Sequence, residues 1–203
     1  MKKLLLLTFS VASLALNGFG QSDIKMQSKY GSEDIDLMSV LRFDEISLEK
    51  LTFTSEALKG KDFQIRIKEI VNGKEASNDV VFDSHEDEYF KIKSDKFIFR
   101  VLMKIRPENM AKFDFQFNGF SKQKTYKVGA SEKGFTSKNF MGGHPEMAIP
   151  VNADTYILTF MMPYKKKDGS MQYCEVAQSG INPEDFGKKY KIPRYFLIGI
   201  KFQ

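Results

Sequence analysis

An alternating pattern of large apolar side chains in residues 96–120 constrains the fold of this chain more than any other feature. The apolar positions are Phe97, Phe99, Val101, Met103 and Ile105, followed by Phe113, Phe115 and Phe117. Successive residues of a strand point to opposite faces, whereas those of a helix turn by about 100°. The pattern therefore predicts a central hairpin whose two strands join at residues 107–109. Because a lone hairpin is marginally stable in water, further strands or a second sheet must cover its apolar face.

Other segments predict further strands and little helix. Residues 63–71 alternate in polarity and lead into Asn72-Gly73, the strongest short hairpin signal. Residues 156–162 and 195–202 are apolar enough for central strands and are the expected partners of the central hairpin. The sequence predicts an all-β fold, an antiparallel two-sheet β-sandwich with one or two short helices. The pattern leaves the immunoglobulin-like and jelly-roll variants both open.

Several local predictions complete this outline. Ser32 is a candidate N-cap for a short helix, with a strand as the competing interpretation, and Asn182-Pro183 has the form of a second helix start. Residues 46–55 predict a strand with a break near residues 49–50. Residues 89–93 predict a short strand, and residues 171–177 a strand that runs back after a turn. The segments 83–88 and 129–154 are predicted loops.

The first 20 residues have the three parts of a secretory signal peptide. Lys2 and Lys3 form the basic start, residues 4–16 form a short apolar run, and Gly18 and Gly20 suit cleavage before Gln21. We predict a cleaved signal peptide at 1–20, a loose N-terminal segment at 21–31 and a single β-sandwich domain at 32–203. A buried N-terminal helix is the alternative interpretation of the apolar run.

Export predicts a periplasmic or extracellular protein. The chain has one cysteine, Cys174, so we expect neither an internal disulfide nor a lipid anchor next to the signal peptide. No later stretch is long and apolar enough to predict a transmembrane segment. Loss of Lys2 and Lys3 lowers the net charge from +5 to +3, which is only mildly basic.

Metal binding has weak support in the sequence. The candidate ligands lie in the two predicted loops and are His85, Glu86, Asp87, His144 and Glu146. They could offer two imidazoles and several carboxylates to a zinc-like ion, but their spacing matches no ligand pattern. The acidic run at 83–88 could offer oxygens to calcium, yet it lacks the spacing of an EF-hand. We therefore predict solvated loop residues, with no metal and no other cofactor.

No catalytic residue is assigned. The chain lacks a G-x-S-x-G elbow, a phosphate-binding loop and a dinucleotide-binding glycine pattern. Cys174 lies in a predicted strand on the same face as Val176, which favours a small buried side chain over a nucleophile. The lysines at 122, 124 and 127, at 165–167 and at 188, 189 and 191 predict a solvated surface, with anionic glycans or lipid headgroups as alternative partners. Nucleic acid is not an expected partner of an exported protein.

One aromatic pair is a candidate binding site. Tyr164 and Tyr173 flank the turn 165–170 and would face each other across a hairpin, with Lys166 beside them. Exposed tyrosines can stack on sugars or contact a protein, although packing on the sheet surface is equally compatible. The sequence favours an exported, non-enzymatic binding or interaction module whose partner is a glycan or a cell-envelope protein. The alternatives are a glycan-directed hydrolase and a structural subunit of a cell-surface assembly.

The chain as a whole resembles a group of known sequences in its general features. A lysine-rich signal peptide ends before Gln21, a chain rich in Phe and Lys follows, and the close is NPEDFGKKYKIPRYFLIGIKF. In these respects the sequence resembles uncharacterised secreted all-β families of Bacteroides-type bacteria. The resemblance implies export across an inner membrane. It implies no mechanism, and we expect any functional site in the loops 83–88 and 129–154 rather than in the central hairpin.

Overall fold

A computed structural model describes residues 23–166 and 168–203, and at Cys174 and Glu175 the backbone alone. The predicted signal peptide, residues 1–20, lies outside the described residues. The strands are β1 Ile24–Tyr30, β2 Ser47–Thr54, β3 Phe63–Val71, β4 Lys74–Asp83, β5 Lys96–Arg106, β6 Met110–Phe117, β7 Phe120–Lys127, β8 Thr136–Asn139, β9 Met147–Ile149, β10 Thr155–Met161, β11 Tyr164–Lys165, β12 Met171–Gln172 and β13 Arg194–Phe202. The α-helices are α1 Ile35–Phe43, α2 Cys174–Ala177 and α3 Phe186–Tyr190, and short 3-10 helices cover Glu56–Leu58, Ser84–Glu86, Glu88–Phe90 and Pro183–Asp185.

The strands form an antiparallel two-sheet β-sandwich, which confirms the predicted fold class. One sheet has six strands in the order β7-β6-β5-β2-β1-β9, and the other has five in the order β4-β3-β13-β10-β8. The two-residue strands β11 and β12 pair with each other. Every pairing between neighbouring strands is antiparallel within the described residues.

The central hairpin supplies much of the core between the sheets. It comprises β5 and β6, and its alternating phenylalanines are buried as predicted. The ring of Phe113 lies 5.6 Å from that of Phe160 on β10 and 5.0 Å from that of Phe196 on β13. Both expected partner strands therefore lie in the facing sheet. Aromatic pairs in such edge-to-face contacts stabilise the core beyond the area that they bury.

Two Asn-Gly turns set the register of neighbouring hairpins. Asn72 and Gly73 have φ angles of 49° and 73° in the turn between β3 and β4. Asn118 and Gly119 have φ angles of 47° and 76° in the turn between β6 and β7. Asparagine and glycine tolerate positive φ, and two-residue turns of this kind match the twist of antiparallel strands. The second of these turns is part of the candidate site described below.

The prediction of a loose segment at 21–31 is wrong from Ile24 to Tyr30. Residues 24–30 form β1, which lies inside the six-stranded sheet between β2 and β9. Ile24 and Met26 are fully buried, and β1 pairs with β2 from Lys25↔Thr54 to Tyr30↔Glu49. Lys25, Gln27 and Lys29 made the segment polar in sequence and lie on the outer face of the sheet, while pairing with β2 satisfies the backbone.

The helix after β1 confirms one of the two interpretations of residues 32–41. The backbone N–H of Leu37 donates to the Asp34 side chain at 3.0 Å, so Asp34 and not Ser32 is the N-cap of α1. The Ser32 hydroxyl accepts a hydrogen bond from the Asp34 backbone N–H at 3.1 Å. Asn182 caps the 3-10 helix at Pro183 as predicted, since its side chain accepts from the Glu184 backbone N–H.

The predicted break near residues 49–50 is absent from β2, which is continuous. Glu49 points into the sandwich and is almost fully buried. Its two carboxylate oxygens accept hydrogen bonds from the hydroxyls of Ser28 and Ser137, both at 2.8 Å. Glu49 occupies an inward strand position because hydroxyl donors on β1 and on β8 of the facing sheet satisfy its carboxylate.

The strand predicted at residues 89–93 is absent, and the strand predicted at 171–177 is present only at Met171–Gln172. The Asp87 side chain accepts a hydrogen bond from the Tyr89 backbone N–H, and residues 88–90 form a 3-10 helix in place of a strand. This local bond offers the backbone an alternative to a sheet. After β12 the chain forms α2, so Cys174 begins a helix and not a strand. The prediction that its side chain is buried lies outside the described residues.

A second apolar cluster covers the outer face of the five-stranded sheet. It joins β10 and β13 to the segment between residues 162 and 193, and includes Phe186, Tyr195 and Leu197. The Glu184 carboxylate fixes this segment because it accepts hydrogen bonds from Lys68 at 2.8 Å and from the Tyr156 hydroxyl at 2.5 Å. Burial and the bond to Glu184 raise the pKa of Tyr156 to about 12. Among the described helices, none is both long enough and apolar enough for a membrane span.

Candidate functional site

The structure does not gather the candidate metal ligands at one place. His85 lies beside Asp83 and Asp62, with its Nδ1 3.1 Å from Asp83 Oδ1 and its Nε2 3.6 Å from Asp62 Oδ2. Glu146 contacts Lys25 and Gln27 of β1 instead. Across residues 23–166 and 168–203 no group of three or more His, Cys, Asp or Glu side chains is arranged to hold a metal ion.

The candidate tyrosine pair does not form an exposed platform. Tyr164 is only 6% exposed and packs against the ring of Tyr190 at 5.2 Å. Tyr173 lies after β12, and its hydroxyl donates to the Gly134 carbonyl at 2.7 Å. The turn that holds Lys166 is closed by a backbone hydrogen bond from Lys166 to Ser170. Of the two alternatives, the structure shows packing for Tyr164, because its ring belongs to the second apolar cluster.

Two adjoining surface pockets lie instead at the end of the central hairpin. The first has a volume of about 330 Å³ and is lined by Arg100, Gln116, Phe117, Asn118, Gly119, Phe120 and Ser121. The second has a volume of about 220 Å³ and is lined by Tyr89, Lys91, Ile92, Lys93, Ser94, Lys96, Phe97 and Asn118. Because both contain Asn118, we treat them as one continuous site and call them the pocket pair.

The β6–β7 turn and the outer face of the six-stranded sheet build the first pocket. Arg100 pairs with Gln116, and Gln116 pairs with Ser121, so their side chains stand side by side across three strands. The Gln116 side-chain N–H donates to Asp114 Oδ2 at 3.2 Å, which orients the amide. The pocket therefore presents a guanidinium, an amide and a hydroxyl in one row above the Asn118-Gly119 turn.

The segment that joins β4 to β5 builds the second pocket. The 3-10 helix Glu88–Phe90 turns the Tyr89 ring outward, where it is 62% exposed. The ammonium group of Lys93 lies 5.5 Å from the centre of this ring, in cation–π range. Lys91 and Lys96 add two further cations to the same lining.

A cluster of phenylalanines supports both pockets from below. The ring of Phe90 lies 5.1 Å from that of Tyr89 and 5.1 Å from that of Phe120. The ring of Phe82 lies 4.5 Å from Phe117 and 5.7 Å from Phe120. Phe120 is 37% exposed, so the core of the sandwich reaches the surface here. Tyr89 and Phe120 thus form an aromatic surface on a packed base.

The lining has a defined chemical character. It combines four cationic side chains, two side-chain amides and two partly exposed aromatic rings. No carboxylate belongs to the lining of either pocket among the described residues. Aromatic faces stack on apolar faces of ligands, amides donate and accept hydrogen bonds, and cations attract negative charge. The pocket pair is therefore suited to hold a polar ligand and lacks an acid–base pair of carboxylates.

Glu49 is a second notable ionisable group, at a different place. Burial raises its pKa, while the hydrogen bonds from Ser137 and Ser28 oppose this shift. Both carboxylate oxygens are occupied by hydroxyl donors. This buried carboxylate connects the two sheets, because Ser28 lies on β1 and Ser137 lies on β8 of the facing sheet.

Sequence reasoning missed the pocket pair for identifiable reasons. The alternation of β5 placed Arg100 on the face opposite the phenylalanines, but nothing in the pattern showed which loop residues would lie beside it. The interpretation of residues 89–93 as a strand hid the outward turn at Tyr89. Asn118-Gly119 is a turn signal of the same kind as Asn72-Gly73. The aromatic and basic residues next to this turn were the sequence signal that could have indicated a binding site.

Comparisons of the chain with family models, with curated proteins and with solved structures found no match in any of the three.

Proposed function

We propose that this protein is an exported, non-enzymatic binding module that holds a saccharide chain at the pocket pair. The observation that carries the proposal is the exposure of Tyr89 and Phe120 on either side of Asn118, with cations and amides in the same lining. Apolar faces of sugar rings stack on aromatic side chains, and their hydroxyls need amide and charged partners. The signal-like residues 1–20 support export.

The rigidity of the site supports binding. Phe90, Phe117 and Phe120 contact one another at ring distances of 5.1 to 6.1 Å, so the aromatic surface is held before a ligand arrives. The Asn118-Gly119 turn connects two long paired strands, β6 and β7, which limits its movement. A preorganised surface loses little conformational entropy when a ligand binds.

The lining favours binding over hydrolysis. Most glycoside hydrolases use two carboxyl groups on opposite sides of the scissile bond. The described linings of the pocket pair contain neither Asp nor Glu, and the nearest outer-face carboxylate on β6, Asp114, accepts a hydrogen bond from Gln116. We therefore favour a binding module over a glycan-directed hydrolase.

Calorimetric titration of the purified mature protein with oligosaccharides tests this proposal. The probes are maltohexaose, cellohexaose and hexagalacturonate, which differ in linkage and charge. We expect at least one to bind and Tyr89→Ala to weaken that binding about tenfold, because a stacking contact of about 1.4 kcal/mol is lost. Phe43→Ala is the matched control, since Phe43 is 93% exposed on α1. Absence of binding by all three probes, or equal losses in both variants, contradicts the proposal.

A further inference from the structure

We propose that the ligand of the pocket pair is a polyanionic saccharide chain, which runs from Tyr89 and Phe120 onto a row of cations on the six-stranded sheet. This inference rests on the proposed function and adds the chemical class of the ligand. It follows from the register of the strands and from the distribution of carboxylates around them.

The row crosses the sheet at the level of the first pocket. Lys29 on β1 pairs with Lys50 on β2, and Lys50 pairs with Arg100 on β5. The same row continues through Gln116 and Ser121, which line the first pocket together with Arg100. We call Lys29, Lys50 and Arg100 the cationic row. Since neighbouring strands lie about 4.8 Å apart, its charges are spaced along a path that leads directly out of the pocket.

The rest of this face is basic as well. Its strand positions hold Lys25, Lys29, Lys50, Lys96, Arg100, Lys104, Arg106, Lys112 and Lys127. Among the described residues, Asp114 is the one carboxylate at a strand position of this face. The net charge of the chain is only mildly positive, so this face concentrates positive charge that the rest of the protein offsets.

Much of this charge is not neutralised by the protein itself. Carboxylates outside the strands pair with four of the nine: Glu146 with Lys25, Glu33 with Lys29, Asp44 with Lys104 and Glu108 with Arg106. In the part of the chain that the structure describes, the other five have no carboxylate oxygen within 4.0 Å: Lys50, Lys96, Arg100, Lys112 and Lys127. Lys96 and Arg100 line the pocket pair. Two of the five uncompensated charges therefore lie in the pocket pair, and a third, on Lys50, lies next to Arg100.

The shape of the face favours a polymer chain over a membrane. Leu48, Ile98 and Leu102, the large aliphatic side chains in the middle of the face, are half-buried between the longer charged ones. None of these three is exposed, and the strongly exposed apolar side chains nearby, such as Phe43, lie on α1 and outside the strands. An elongated anionic chain can bind by contacting the ammonium and guanidinium groups of this face, and its sugar rings can stack on Tyr89 at one end. An exported protein meets anionic glycans more readily than nucleic acid.

Polygalacturonate and its fully methyl-esterified form provide a direct test, because they share one backbone and differ in charge. We expect the wild type to bind polygalacturonate and to lose at least about tenfold in affinity between about 0.05 M and about 0.5 M NaCl, as screening predicts. The triple variant Lys50→Gln, Arg100→Gln, Lys96→Gln should lose at least about tenfold at low salt. The control Lys74→Gln, Lys133→Gln, Lys189→Gln removes equal charge from exposed positions elsewhere and should bind as the wild type does.

The outcomes separate this inference from the proposed function. Equal, Tyr89-dependent affinity for the charged polymer and its ester overturns the inference and leaves the saccharide-binding proposal intact. Failure of both polymers and of the neutral oligosaccharides overturns both. Tighter binding to vesicles of anionic phospholipid or to oligodeoxythymidine, with the same dependence on the three cations, overturns the inference in favour of a lipid or nucleic-acid ligand. An equal loss in the two triple variants also overturns it, because the effect would then reflect net charge alone.

Discussion

Lys50 and Arg100 occupy directly opposed positions on β2 and β5, on the open face of the six-stranded sheet. Like charges at such positions repel and destabilise a sheet by roughly 0.2–1 kcal/mol. Glu33, which pairs with Lys29, also attracts Lys50 electrostatically, whereas no described carboxylate pairs with Arg100. The pair is understandable if a bound anion neutralises both charges.

Replacing Lys50 with glutamine should therefore stabilise the free protein while it weakens the binding of anions. We expect the free energy of unfolding to rise by about 0.2–1 kcal/mol at low salt, because the repulsion with Arg100 is removed. The gain should shrink as salt screens the wild-type repulsion. Urea denaturation at two salt concentrations measures it, with Lys74→Gln as the control. A loss of stability in Lys50→Gln contradicts the prediction.

The core of the central hairpin should respond strongly to truncation. Phe113→Ala removes a fully buried ring that contacts Phe160 and Phe196 of the facing sheet. We expect a loss of about 3–5 kcal/mol in the free energy of unfolding, from lost burial and the cavity left behind. Phe43→Ala on the exposed face of α1 should change it by no more than about 0.5 kcal/mol. Similar losses in both variants would show that the sheets do not pack as described.

Ser84 connects the end of β4 to the start of β3. Its buried hydroxyl accepts a hydrogen bond from the Phe63 backbone N–H at 2.8 Å and donates one to Asp62 Oδ1 at 2.9 Å. Ser84→Ala leaves the Phe63 N–H without this acceptor, which should cost about 1–3 kcal/mol in the free energy of unfolding. Ser131→Ala is the control, at an exposed position outside the pocket pair. Thermal and urea unfolding should give the same loss of stability. An unchanged free energy of unfolding in Ser84→Ala would contradict the two hydrogen bonds.

Glu49 should give the stability a recognisable pH dependence. Burial raises its pKa above the ordinary value of 4.5. The folded state therefore holds this proton to higher pH than the unfolded state does, and the associated stability is lost as pH rises through the folded pKa. Glu49→Gln keeps hydrogen-bonding groups for Ser28 and Ser137 and removes the charge. We expect its stability relative to the wild type to increase between pH 4 and pH 7, measured by urea denaturation, and a constant difference would contradict this assignment.

The sequence predicted the parts of the fold that depend on periodicity. The phenylalanines of β5 and β6, the two Asn-Gly turns and the apolar strands β10 and β13 follow from alternation and turn chemistry. Where polar contacts over a long sequence distance decide the structure, the predictions were wrong. Glu49 is an example, because Ser137, 88 positions later, makes its inward position acceptable. β1 is a second example, because its backbone pairs with the distant strands β2 and β9, and this pairing buries Ile24 and Met26.

The candidate site was beyond prediction for a related reason. Tyr89 lies on the 3-10 helix between β4 and β5, and Arg100 lies on the outer face of β5. They line different pockets, and the two pockets share Asn118. Neither residue has a motif or a spacing of its own. The sequence directed attention to Tyr164 instead, whose ring is buried against Tyr190.

The central claim is that a saccharide chain binds beside Asn118. A titration of isotopically labelled protein with hexagalacturonate, followed by NMR, tests it most directly. We expect the largest chemical-shift changes at the Asn118 and Gln116 side-chain amides, the Arg100 guanidinium and the Tyr89 ring. Shifts confined to the 164–173 turn, or no shifts with this probe or with either neutral hexasaccharide, would contradict it.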